Sequence, residues 1–501
     1  MKKDITDIRG TLEFLKQEGE LVSIKEPVDP IIEKAAILKG LDNGPAFMFE
    51  NTKGYPGVKS IGNIFSRTDR IAKLFDVADP NKLKFKFHEA LKKPIPPKVV
   101  TQAPCQEVVV IENIDVPKTL PVLQHTPKDH ARVMGSGNIL VGAKWARGGN
   151  CISFKRMHFR GSDWSSITIS PGTHLEAIAF TEHRKDEIPV TVNICAPPAV
   201  MLIAGGGGVH SVIPLGSDEI GIAGGLQGSP IEICKAKTID AYSVAKAEWV
   251  IEGYITTDLV WETEEAEKIE KQDATPFFPE WTGYLGRAWR SRKFRVTAIT
   301  HRKDAIFYDW LADSYDGELI GYPLQEACFY ELADRLIPGL VVDVHKPFCL
   351  RFWGGVILQV RKRRPRDEGY QRNILTHLLG AQPGIRLIIA VDDDVDITSM
   401  DDVMWAIMSR TNPMTDFIYG ASGSRGSAAQ PGEQAARIEA GGFSGGLAID
   451  ATVPFLARER FERSHYAVDT VDFKKWFSEA QLQAIRNQQS EYARYLGKWG
   501  R

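Results

Sequence analysis

The sequence predicts a multi-domain chain of mixed α+β and α/β class. An N-terminal α/β domain comes first, then a central β-barrel or sandwich-like domain, then a second α/β domain ending in an amphipathic tail helix. Three observations carry this reading. The chain has 501 residues, more than one ordinary hydrophobic core accommodates. Helical and extended patterns alternate at both ends. Between them, from about residue 106 to 315, short β-type runs are separated by Gly, Pro and Asp.

Residues 1–105 form the first unit. ITDIRGTLEFLKQEG places apolar residues on one helical face, ELVSIKE reads as a strand and DPIIEKAAILKGLDN as a second helix. PAFMFENTKGYPG and SIGNIF read as strands broken by Gly and Pro, and FKFHEALKKPIPPKVV ends the unit with a Pro-rich exit. In residues 106–315 the strand runs include VVVIENI, GNILVGAKW, SSITIS and IPVTVNICA. In residues 316–501, PLQEACFYELADRLIPG is helical. GLVVDVHK, CLRFWGGVILQVRK and IRLIIAVDDD then read as strands, with NILTHLLG and MDDVMWAIMSRT as helices among them. The tail, 472–499, reads as one amphipathic helix carrying aromatics, a pattern suited to docking.

Composition excludes several function classes. Hydrophobic content of 43% with 25% charged residues describes a globular protein. A formal net charge of -2 gives no basic field for nucleic acid. The start, MKKDITDIRGTLEFLKQEGEL, has no long apolar core, and no later run reaches the length of a membrane span, so a cytoplasmic protein with a small-molecule partner is expected. Six cysteines lack CxxC spacing, which speaks against a disulfide framework or zinc knuckle.

Familiar local motifs fail. GGGG at 205–208 matches neither GxGxxG nor GxxxxGK[ST], leaving a phosphate cradle or a plain flexible loop as the alternatives, and GSGN at 135–138 fails in the same way. The acid-rich WETEEAEKIEKQD, 261–273, reads as a solvated helix face or loop. Four phrases remain: NCISFKRM, SPGTHLEA, GSDEIGIAGGLQG and PEWTGY, all within the central domain.

The order and wording of these phrases resemble the UbiD family of prenylated-flavin-dependent (de)carboxylases. TDIRGTLEFLKQEGELVSIKEPVDP, VPKTLPVLQHTPKD and LIIAVDDDVDITSMDDVMWAIMSRTNP extend the resemblance over nearly the whole chain. The resemblance implies a flavin-reductase-like split β-barrel as cofactor domain and a C-terminal oligomerisation domain. It implies prenylated FMN supplied by a flavin prenyltransferase, a divalent manganese- or iron-like metal at its phosphate, a monovalent cation such as potassium, and a homo-oligomer, dimer or hexamer.

Carried over residue by residue, the metal phrases match at His174 and Glu219. Imidazole and carboxylate suit a phosphate-bridging divalent ion. The third ligand is an Asn in the family, and that position falls on Cys151, one residue after Asn150. A slip of one residue turns a strand side chain to the other face. Either a bulge rescues Asn150, or Cys151 takes the position with a preference for softer, iron-like metals, or neither binds. The resemblance also places Ser153, Phe154, Lys155, Arg156, Thr173, His174, His210, Ser211, Glu219 and Arg386 at the cofactor, Arg386 standing for a family lysine with changed geometry.

Arg156 matches the family's active-site arginine, which two glutamates five residues apart flank. Glu280, in QDATPFFPEWTGYLG, falls on the second glutamate and Thr275 on the first, so Glu270 or Asp273 is considered as a relocated acid. Apolar neighbours such as Phe277, Phe278 and Trp281 favour a protonated Glu280, while Arg156 opposes this. With one acid missing, Arg156 has capacity to bind an anionic substituent of the substrate. The implied activity is reversible, non-oxidative decarboxylation of an aromatic or α,β-unsaturated acid, or of an aryl-CoA thioester such as phthaloyl-CoA. The rival reading is a structural or regulatory subunit of a multi-subunit carboxylase.

Overall fold

The computed structural model describes residues 3–129, 131–170, 172–382, 384–420, 445–464 and 466–496. Helix Ile8–Gln17 starts where the Asp7 carboxylate accepts the Arg9 amide, and it buries Ile8, Leu12 and Leu15 at helical spacing. Beside it lies a four-stranded sheet in the order Leu21–Ile24, Ala46–Phe49, Lys59–Gly62, Ile306–Tyr308. The last strand follows the final barrel strand, Arg290–His301, so chain that has already traversed the barrel completes this sheet. The joint is charged as well as apolar: fully buried Lys34 and Asp309 stand 3.1 Å apart.

The central domain is a closed barrel of six antiparallel strands. Around it run Trp249–Trp261, Ile188–Ile194, Met134–Val141, Cys151–Phe159, Trp164–Ile167 and Arg290–His301, and pairing of the last with the first closes the ring. The closing pair are the longest strands, of 13 and 12 residues. Closure removes open edges, which decides between the barrel and sandwich alternatives. Val108–Val110 adds to the outside of Arg290–His301.

Two helices, Pro198–Gly206 and Glu219–Gln227, pack on each other and on strand Cys151–Phe159. Pro198–Gly206 is buried along its whole length, which accounts for its unbroken apolar sequence. It absorbs half of the GGGG run. A Cβ on Gly206 would lie 2.4 Å from Leu324, so this glycine lets helix Tyr322–Leu336 approach closely, and Gly207 caps the helix at φ 49°.

The C-terminal sheet has five strands in the order Val341–His345, Gly355–Val360, Leu387–Asp392, Leu447–Ala451, Phe417–Tyr419. The inner three are parallel and both outer pairings antiparallel. The tail differs from the single helix expected over 472–499. It is a 3-10 turn, Phe473–Lys475, followed by helices Glu479–Gln488 and Glu491–Leu496. Ser478 and Gln481 form a capping box that starts the first helix, and Gln489 turns extended at ψ 138° and ends it. Residues 497–501 lie outside the described chain. Among the described residues, no helix is long and apolar enough to cross a membrane.

Candidate active site

Strand Cys151–Phe159 organises the site. At its start, Cys151 meets His174, the first residue of a short helix capped by Thr173, and Glu219, the first residue of helix Glu219–Gln227. One ligand atom from each lies within 4.8 Å of the others. Glu219 Oε2 accepts the Ile152 amide at 2.6 Å, and Oε1 faces His174 Nδ1 at 3.0 Å. Asn150 does not join them, because its side-chain amide donates to Asp218 at 3.0 Å. The ladder from Val141↔Cys151 to Gly137↔Lys155 runs in unbroken register, so no bulge turns Asn150 inward.

These residues fit a divalent transition ion. Thiol, imidazole and carboxylate converge, and His174 Nε2 is buried with no hydrogen-bond partner of its own. Burial pushes the Cys151 thiol well above its ordinary pKa; Glu219 adds to this and Lys155 opposes it. Burial also lowers the Lys155 ammonium, against the pull of Cys151 and Glu219. His210 stacks on His174 with ring centroids 4.2 Å apart. Burial, helped by His174 and Lys155, brings its pKa down to about 4, so it is neutral near pH 7.

The remaining candidates are distributed as follows. Ser153 is part-buried on the same strand, and the Phe154 ring leans on Trp310 with centroids 5.7 Å apart. Ser211 is exposed in the turn after His210. Arg386 is in the C-terminal domain, where its guanidinium donates to the Gly445 carbonyl at 2.6 Å.

Further along the strand, Arg156 forms a short ion pair with Glu280. Its guanidinium carbon lies 5.1 Å from the Phe277 ring centroid and 6.0 Å from that of Phe278, and both rings are buried. Burial raises the Glu280 pKa. Arg156 pulls it down and Glu262 pushes it up, and the net direction is upward. Burial acts to lower Arg156, but Glu280 and Glu262 outweigh it and hold the cation above its ordinary value.

A second carboxylate beside Arg156 is Glu262, a residue that the sequence alone did not single out. Its fully buried carboxylate lies 3.7 Å from Arg156 Nη2, accepts the Trp289 amide at 2.9 Å, and is hydrogen-bonded by the Thr168 hydroxyl. Glu270 is exposed, in the left-handed residue that ends helix Glu264–Ile269, and Asp273 donates its amide to Ala288. Thr275 is buried with its hydroxyl unpartnered. The legible signal was position: Glu262 directly follows a strand ending in Trp261 and precedes the Thr263 helix cap, so it stands at the barrel rim. Most of the acid-rich segment is solvated as expected, and Glu262, Thr263 and Ala266 are its buried residues.

The chain matches the three domain models of 3-octaprenyl-4-hydroxybenzoate carboxy-lyase: N-terminal at residues 12–87, Rift-related at 98–313 and C-terminal at 318–451. It belongs to the UbiD family. As a UbiD-family protein it is a prenylated-FMN-dependent carboxy-lyase. Gallate decarboxylase of Lactiplantibacillus plantarum is 29% identical, covering 94% of this chain and 98% of that protein. The apo structure of 3,4-dihydroxybenzoic acid decarboxylases from Enterobacter cloacae superposes with a TM-score of 0.81 at 28% identity, covering 94% of this chain and 98% of that one. The UbiD-class enzyme HmfF from Pelotomaculum thermopropionicum, in complex with FMN, gives 0.80 at 26% identity, covering 94% and 100%.

Proposed function

We propose that this UbiD-family enzyme catalyses reversible, non-oxidative decarboxylation of an aromatic or α,β-unsaturated carboxylic acid. The observation that carries the reading is Arg156 held between Glu262 and Glu280, with burial raising the Glu280 pKa above its ordinary value. Prenylated FMN, when bound, supplies the electron sink that loss of CO2 requires. Cys151, His174 and Glu219 would hold a divalent manganese or iron ion at its phosphate, with Lys155 and His210 beside them. Ser153, Phe154, Thr173, Ser211, Arg386 and a monovalent cation such as potassium complete the proposed cofactor set. Arg156 orients the substrate carboxylate, and Glu280 delivers a proton to the carbon that has lost CO2. In carboxylation at high CO2 the same carboxylate takes that proton back.

A free aryl acid is the finer reading. A second acidic group on the substrate, as in phthaloyl-CoA, was inferred from an acid missing beside Arg156, and Glu262 places a carboxylate there. The relatives named for gallate and 3,4-dihydroxybenzoate point to hydroxylated benzoates as the first substrates to try. Thr275 and Cys151 are the departures that favour a non-catalytic subunit; Glu262 supplies a second acid beside Arg156, and Cys151 lies with His174 and Glu219. The wider proposal is a cytoplasmic homo-oligomer, dimer or hexamer, loaded by a flavin prenyltransferase.

The test is anaerobic co-expression with a flavin prenyltransferase, followed by absorbance, cofactor mass and CO2 release from a panel of aryl acids and aryl-CoA thioesters. Uptake of the prenylated flavin with turnover of a free aryl acid is expected. A colourless protein that binds no prenylated flavin overturns the reading.

A further inference from the structure

We propose that Thr168 is a positioning residue whose hydroxyl ties the Glu262 carboxylate to the Arg156 guanidinium, an inference that rests on the function proposed above. Thr168 follows strand Trp164–Ile167, and its own amide donates to the Arg156 carbonyl at 3.1 Å, which fixes it beside the arginine. Its hydroxyl accepts from Arg156 Nε at 2.9 Å and donates to Glu262 Oε1. The direct approach of Glu262 to Arg156, at 3.7 Å, is within ion-pair range but beyond hydrogen-bond length. The hydrogen-bonded path between them therefore runs through Thr168.

A hydroxyl suits this place because it has one proton to give and lone pairs to receive. Guanidinium only donates and carboxylate only accepts, so a group that does both can stand between them. Arg156 is then held on three sides: Nε by Thr168, Nη1 by Glu280 and Nη2 by the charge of Glu262. A planar cation fixed this way cannot rotate about its last bonds, so its edge toward Glu280 keeps one orientation. Both functions of the hydroxyl are engaged within the protein, so Thr168 acts through Arg156 and leaves the substrate untouched.

The experiment compares Thr168→Val, which keeps the shape and removes the hydroxyl, with Thr168→Ser, which keeps the hydroxyl. Thr168→Ala runs alongside, so that poor folding of the valine variant leaves the comparison intact. For the holoenzyme on an aryl acid, the valine and alanine variants should lose about tenfold or more in kcat with little change in KM, and serine should stay within about twofold of wild type. In cofactor-free protein labelled with 15N-arginine, the Arg156 Nε–H signal, assigned by its absence in Arg156→Lys, should be protected from exchange in wild type and Thr168→Ser and lose protection in Thr168→Val. Wild-type turnover in Thr168→Val, equal losses in Ser and Val, or unchanged Nε–H protection in Val would each overturn the role. If wild-type holoenzyme decarboxylates no acid, the proposed function fails, and the exchange measurement still decides the Thr168 link.

Discussion

Glu262 and Arg156, far apart in sequence, meet 3.7 Å apart at the barrel rim, with Glu262 fully buried and Arg156 also paired to Glu280. Glu262→Gln keeps the shape and removes the charge. It should cut kcat/KM by about tenfold to a hundredfold through misplacement of Arg156. Glu270→Ala, at an exposed position, should stay within about 0.5 kcal/mol of wild type in stability and lose no activity. Steady-state kinetics and thermal melts of the two variants side by side check the assignment.

Glu280→Gln should lower kcat by about a hundredfold or more, as loss of a general acid does. The pH dependence has a definite sign. Burial raises the Glu280 pKa, so the acid form persists to higher pH, and decarboxylation should fall as pH rises through that value. Arg156 opposes the rise, so Arg156→Gln should move the alkaline limb of any residual activity further up in pH. A pH–rate profile with its limb unmoved in that variant would contradict the electrostatic coupling.

Metal preference should follow the residue at position 151. Wild-type protein, with Cys151 beside His174 and Glu219, should retain iron-like metals on anaerobic purification. Cys151→Asn exchanges a soft sulfur for a hard oxygen and should shift retention toward manganese and magnesium. His174→Ala should lose metal of either kind. Elemental analysis of the purified proteins measures all three.

Lys34 and Asp309 form a fully buried pair at the seam between the N-terminal sheet and the chain leaving the barrel. Lys34→Met strands a buried carboxylate and should destabilise the fold by about 3–5 kcal/mol. The double variant Lys34→Met/Asp309→Leu should recover much of that loss, because two apolar groups of similar shape replace a desolvated pair. Urea unfolding of both variants gives the comparison.

Much of the fold was legible because its signals are local. Alternation in IPVTVNICA and the apolar run in IRLIIAVDDD each produced the strand they indicate. The tail was misread because amphipathic spacing continues across Gln489, where the backbone turns extended. At the site, the one-residue offset that raised Cys151 against Asn150 was readable as a count along a strand. Glu262 was not, because what brings it to Arg156 is closure of the barrel, with Trp164–Ile167 and Arg290–His301 between their two strands, and linear spacing carries no record of that. Thr168 was hidden for the same reason: nothing in SSITIS distinguishes a hydroxyl that joins two charges from one that faces water.

The barrel closes through strands Trp249–Trp261 and Arg290–His301, whose ladder ends at Trp261↔Arg290. Everything between, including Glu262 at one foot and Glu280 near the other, is a single excursion from a clamped base. Its two feet are held in register while its interior folds into the pair Pro276–Pro279 and Leu285–Arg287 with Phe277 and Phe278 buried. Glu262 therefore reaches Arg156 from the clamped foot itself, held by the last rung of the barrel ladder rather than by the fold of the segment beyond it.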